Sequence, residues 1–224
     1  MRAALLLLFA LFTCLAGAQD AVDTHGKSEA QILQMGMDKW IDFYTSKEGT
    51  STASMTEAAG FYGDVAQRRN DRLIKSMRDR KRAKTILDLR KLMSDLASSS
   101  VDIAYAEAGG GTMYNMMWAS VGGVTEDALY ALVTGKGPKP KSRVVSDVRK
   151  ELAKIGREIE AMHADKDNAE FFKYGDAKKA LAKMSRDYDR LIAIAKHLSR
   201  TDSDRILGFC LEHAKNAEDE DSSK

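Results

Sequence analysis

The chain has 224 residues, 44% of them hydrophobic, 30% charged and 7% aromatic, with 35 Lys+Arg against 33 Asp+Glu. That length and apolar content suffice for the core of one domain or two small ones and exclude a fully disordered chain. Two cysteines and two prolines exclude a disulfide-stapled mini-protein and a Pro-rich stalk, and the near-neutral balance excludes a histone-like nucleic-acid binder.

Met1-Arg2 is a short positive start to an apolar run from Ala3 to Leu15, and Ala16-Gly17-Ala18 supplies the small residues a signal peptidase reads. The run of 13 residues is shorter than the roughly 20 that span a bilayer. The pattern therefore predicts a signal peptide over 1–18, cleaved to leave Gln19 onward, with no transmembrane helix in the mature chain. Cys14 follows Phe12-Thr13, a poor fit to a lipoprotein site, and leaves with the leader. Cys210 then stands alone and closes no disulfide, and no Asn-x-Ser/Thr sequon occurs. Both features suit a bacterial periplasmic or extracellular protein.

The rest reads as helices with legible caps. Ser28 with Gln31 forms a capping box ahead of Ile32, Leu33, Met37, Trp40, Ile41 and Tyr44, and Lys47 to Ser51 breaks that helix. Ser54 with Glu57 reads as a second box, ahead of Ala58, Phe61, Tyr62, Val65, Leu73 and Met77. Thr85 with Asp88 offers a third start, before Ile86, Leu89, Met93 and Leu96. At 100° per residue, Tyr62, Ala66, Leu73 and Met77 point to the side opposite Ile86, Leu89, Met93 and Leu96. That reversal predicts a break or kink within Arg78 to Lys84 rather than one long helix.

Ala108 to Thr125 holds no charged residue in 18 positions, and five of them are Gly. Short helices at 103–108, 113–121 and 126–133, stopped by the glycines, fit this texture, with the segment buried as a central hairpin. Gly135 to Lys141 reads as a linker. Beyond it, Val145, Val148, Leu152, Ile155, Ile159 and Met162 keep a 3–4 repeat, as in a bundle or coiled coil. Asp165 to Asn168 turns the chain, Asp176 caps a helix through Leu198, Thr201 with Asp204 caps a last one through Cys210, and residues 217–224 form an acidic disordered tail. The expected fold is an all-α bundle of about five to seven helices, partly coiled-coil-like. A division into two lobes, 19–134 and 142–216, fits the linker.

Charge is unevenly placed. Arg68 to Lys91 carries eleven basic residues against three acids, a net of +8, whereas Gln19 to Gln67 carries −5. Arg78, Arg80, Lys81, Arg82 and Lys84 are the densest part and the candidate anion-binding residues. The bland alternative is a solvated helix face, partly neutralised by the acidic N-terminal helix. No aromatic residue lies between Tyr62 and Tyr105, so the stacking platform of a nucleic-acid binder is missing.

Catalytic constellations are thin. His25, His163, His197 and His213 form no His-Glu-x-x-His pair, and Gly109-Gly110-Gly111 lacks the lysine of a phosphate loop. Cys210 and His213 are three apart, so one helix face presents them as a weak candidate metal pair. Met113, Met116 and Met117 are weak candidates for Cu(I), and as adaptable core filling beside Trp118 they need no metal. His163 with Asp165 and Asp167 is a weak N/O cluster, and Asp202 with Asp204 lacks the Gly and Glu of a calcium loop. No cofactor is implied.

The favoured reading is an exported, non-enzymatic binding, scaffold or chaperone-like protein whose basic surface meets a protein, lipid headgroups or a glycan. The alternatives are a membrane-acting protein that inserts 108–125, and a copper or zinc carrier or enzyme. Cleavage after Ala18 is checked by intact mass: the exported protein should lack the first 18 residues, and retention of the full mass would contradict the leader.

Overall fold

The computed structural model describes residues 22–109, 111–137, 140–143, 145–165 and 172–216, and among them the chain forms eight helices and no strand. They are α1 (Glu29–Met35), α2 (Met37–Glu48), α3 (Thr52–Ser76), α4 (Arg80–Glu107), α5 (Met113–Thr134), α6 (Val145–Ala164), α7 (Tyr174–Ala195) and α8 (Arg200–Asn216). The fold is an all-α bundle. The leader over 1–18 and the acidic tail over 217–224 lie outside the described residues, as does most of the turn at 165–168.

The helix count exceeds five to seven because the first helix is two. The Ser28 box forms as read, its hydroxyl accepting from the Gln31 N–H. Gly36 then takes φ +81°, a conformation that disfavours a side chain. Its N–H donates to Ile32 O at 3.3 Å to end α1, and its carbonyl accepts from Trp40 N at 3.0 Å to open α2.

Four starts differ from the sequence reading. The cap of α3 is Ser51, not Ser54: the two hydroxyls exchange backbone bonds reciprocally at 3.1 Å, so Ser54 fills the role expected of Glu57. Helix α4 begins at Arg80 rather than Thr85, because Asp79 Oδ1 accepts from Arg82 N at 2.9 Å. Helix α8 is capped by Ser199, which accepts from Asp202 N at 3.2 Å, and not by Thr201. Likewise Asp176 sits inside the first turn of α7 instead of capping it. The predicted break falls at 77–79, the front edge of the expected interval. It lets α3 and α4 bury opposite sides of the sequence pattern.

The glycines of the uncharged segment are not all stops. The stretch 103–107 completes α4, and 113–134 is one helix running through Gly122-Gly123. The pair is used for packing. Helices α3 and α5 run side by side in the same direction, Gly63 beside Gly123 and Arg69 beside Tyr130, in the most extensive helix contact of the fold. A Cβ on Gly63 would stand 3.2 Å from Gly123 N, and one on Gly123 would stand 2.7 Å from Met37 Sδ. The segment is therefore part of a helix pair and not a hairpin.

Two cores result. Ile32, Trp40, Tyr44, Ala58, Tyr62 and Ala66 form a small one between α1, α2 and α3, where Trp40 Nε1 donates to Ala58 O at 2.9 Å. The large one runs from Ile74 to Ala214. It spans the linker, because α4 and α7 lie antiparallel along much of their length, with Lys173 N on Ala106 O at 2.9 Å at one end. The linker thus joins helices that contribute to one core.

Glycine substitutions test the α3–α5 contact. Gly60→Ala meets nothing within 4 Å and should stabilise by roughly 1 kcal/mol through helix propensity. Gly63→Val, three residues on, should destabilise by about 1–3 kcal/mol through overpacking. Urea midpoints measure both, and a Gly63→Val protein as stable as the parent would contradict the close approach.

Candidate functional site

The basic stretch divides into paired ends and an unpaired middle. At its start, Arg68 and Arg72 both reach Glu29 of α1, at 2.9 and 3.2 Å. Arg69 pairs with Asp127 at 3.1 Å and lies over the Tyr130 ring at 3.9 Å. At its end, Arg90 pairs with Asp71 at 2.6 Å and Glu126 at 2.9 Å. Lys84 pairs along its own helix with Asp88 at 2.8 Å. The acidic N-terminal segment therefore covers only the front. The side chains of Arg78, Arg80, Lys81 and Arg82 are exposed and have no acidic partner among the described residues.

Lys81 and Arg82 stand at a groove of about 700 Å³ between the first turns of α4, the last turn of α7 and the start of α8. Its floor is apolar: Ile86, Leu89, Leu132, Ile194 and Leu198. Three acids share the rim, and each is engaged. Asp79 caps α4, Asp88 holds Lys84, and Asp202 accepts from the Ser199 hydroxyl at 2.8 Å and lies 3.5 Å from Arg205. Two helix N-termini, those of α4 and α8, open here with their partial positive charge. The sequence reading found Lys81 and Arg82 but not the groove, whose other walls include Leu132 of α5 and residues 193–202, far along the chain.

A second polar constellation was not legible. Asn70 Nδ2 donates to Glu126 O at 2.6 Å and to Glu126 Oε2 at 2.7 Å, while Tyr62 Oη donates to Asp127 Oδ2 at 2.7 Å. Burial raises the Glu126 carboxyl above its ordinary range, and the Asn70 hydrogen bond and Arg90 pull against that rise. The arrangement ties α3, α4 and α5 together beside a cavity of about 500 Å³, lined in part by Gly60, Gly63 and Gly122. Alternating acids and bases in the sequence gave no sign of which pairs would be buried.

The candidate metal residues are scattered. Cys210 and His213 are buried on α8, where burial pushes the thiol up to about 12 and the imidazole down to about 4. Both are neutral at pH 7. No third His, Cys, Asp or Glu donor groups with them among the described residues. Met113 is exposed, Met116 and Met117 are half-buried, and Met117 packs on the large core. His163 stacks on Tyr174 at 3.8 Å. The described residues do bring together one trio that the sequence reading missed: His25 Nε2 lies 3.0 Å from Glu48 Oε1, and Nδ1 lies 3.5 Å from Asp23 Oδ2. Each ring nitrogen faces its own carboxylate.

No known protein family, curated protein or solved structure matches this chain.

The buried His213 makes stability depend on acid. The unfolded ring takes a proton near pH 6.5, whereas the folded ring stays neutral down to about 4. Stability is therefore full above pH 6.5 and falls as pH drops through that window, by about 2 kcal/mol at pH 5. Urea midpoints at pH 7 and 5 should show the loss, and His213→Leu should flatten it. An unchanged slope in that variant would place the titration elsewhere.

Proposed function

We propose that this protein is an exported, non-enzymatic helical binding protein that takes an anionic partner at the basic turn before and within the start of α4. The observation that carries the reading is the set Arg78, Arg80, Lys81 and Arg82: four exposed cations without an acidic partner among the described residues, two of which, Lys81 and Arg82, stand at the rim of an apolar groove. A solvated face would place such charges over solvent on all sides. Here Lys81 and Arg82 adjoin apolar side chains and two helix N-termini, which favours a bound anion.

Membrane insertion of 108–125 is the weaker reading. No helix among the described residues is long and apolar enough to cross a membrane. Withdrawing α5 would also separate Gly123 from Gly63 and strip Glu126 of Asn70 and Arg90. A metal carrier or enzyme draws little support from a buried neutral thiol beside a buried neutral imidazole.

Heparin affinity and flotation with anionic vesicles test the proposal. The exported protein should bind both at low salt and release as ionic strength approaches about 0.15 M, where charges are screened beyond about 8 Å. Replacing Arg78, Arg80, Lys81 and Arg82 together by Gln should remove most of the binding and leave helicity unchanged, since all four are exposed. Binding that survives the fourfold change would make the stretch a solvated face.

A further inference from the structure

We infer that the groove beside Lys81 and Arg82 binds a single long-chain fatty acid, its acyl chain on the apolar floor and its carboxylate at the cationic rim. The inference rests on the anion-binding reading above and names the class of ligand.

The groove combines three properties. Its volume, about 700 Å³, falls within the range of small-molecule sites. Ile86 and Leu89 from α4, Leu132 from α5, and Ile194 and Leu198 from the end of α7 line it, so three segments enclose the chain. At the rim, Lys81 and Arg82 are unpaired, while the nearby carboxylates of Asp79, Asp88 and Asp202 are each held by a cap, a lysine or an arginine. The Thr85 hydroxyl is also engaged, donating to Lys81 O at 3.1 Å. An entering carboxylate thus meets two unpaired cations beside acids that are already hydrogen-bonded or ion-paired, with the exposed His197 also lining the groove.

Other anions use only part of this. A polyanionic glycan or a nucleic acid would pair with the rim and leave the floor uncovered. The lining offers no Phe, Tyr or Trp, and its one aromatic ring is the imidazole of His197. An acidic amphipathic helix, a cylinder about 10 Å across, or a bilayer surface would meet the groove with one face only. One flexible acyl chain satisfies both the floor and the rim, and each methylene withdrawn from water adds to the affinity.

Isothermal titration calorimetry with oleate, below its aggregation concentration, tests this on the exported protein. Oleyl alcohol supplies the chain without the charge, acetate the charge without the chain, and heparin a polyanion without a chain. Oleate should bind at least about tenfold more tightly than oleyl alcohol, since a charge-assisted contact of the order of 1.4 kcal/mol is lost with the carboxylate. Acetate should give no measurable heat. Ala193→Trp is the decisive variant: Ala193 lines the groove and is exposed, so the indole fills the groove without disturbing the core. It should weaken oleate at least about tenfold and leave heparin binding intact. Lys81→Gln with Arg82→Gln should weaken both ligands. Oleate binding unchanged in Ala193→Trp, or equal affinity for oleyl alcohol, would overturn the inference. Heparin binding without oleate binding would overturn it and leave the anion-binding reading standing, whereas failure of both ligands would defeat both.

Discussion

Where Gly63 of α3 meets Gly122 and Gly123 of α5, backbone lies against backbone at a distance that leaves little room for a side chain on Gly63. The two helices can then run together at close range, and what lies further along them follows from that spacing. Tyr62 and Asp127 come within hydrogen-bond reach, Arg69 settles on the Tyr130 ring, and the Asn70 amide reaches both the carbonyl and the carboxylate of Glu126. A buried carboxylate is costly unless it is paired and hydrogen-bonded. Glu126 has both partners only because the glycines bring α3 close and α4 supplies Arg90.

The same geometry decides which charges remain available. Acids on α1, α3 and α5 neutralise the front and back of the basic stretch: Glu29 takes Arg68 and Arg72, Asp127 takes Arg69, and Asp71 with Glu126 takes Arg90. None of these acids reaches Arg78, Arg80, Lys81 or Arg82, which lie at the turn before α4 and in its first turn. A stretch that sums to +8 in sequence therefore resolves into largely paired flanks and a concentrated cationic turn. Position along the helix, rather than total charge, makes that turn a binding surface.

Sequence reading succeeded where the cause is local. The 3–4 repeats, the Ser28 box and the reversal of apolar phase between Tyr62 and Leu89 all follow from neighbours within a few turns, and the helices and the break follow them. It failed where a residue's local preference is overridden from a distance. Gly122-Gly123 reads as a helix stop by propensity, yet α5 passes through because the missing side chains admit α3. Thr85 has the features of a cap, but Asp79 stands where the chain actually reverses, and the break fixes the start. The candidate site was half visible. Its cations are contiguous in sequence, whereas its floor is drawn from 86–89, 132 and 194–198 and exists only once α4 and α7 lie antiparallel.

That floor sits at helix ends for a physical reason. The inward faces of α4, α5 and α7 are largely consumed by the large core. At the ends, the helices stop at different heights, and side chains such as Ile194 and Leu198 are covered on one side only. Helix ends are also where backbone N–H groups lack intrahelical partners. Asp79 and Ser199 with Asp202 satisfy part of that need at α4 and α8, and in doing so they occupy the carboxylates that would otherwise neutralise Lys81 and Arg82. Capping thus does two things at once in this fold. It ends the helices cleanly, and it removes the nearest acids from competition for the cationic rim, leaving a local excess of positive charge beside uncovered apolar surface in a chain that is nearly neutral overall.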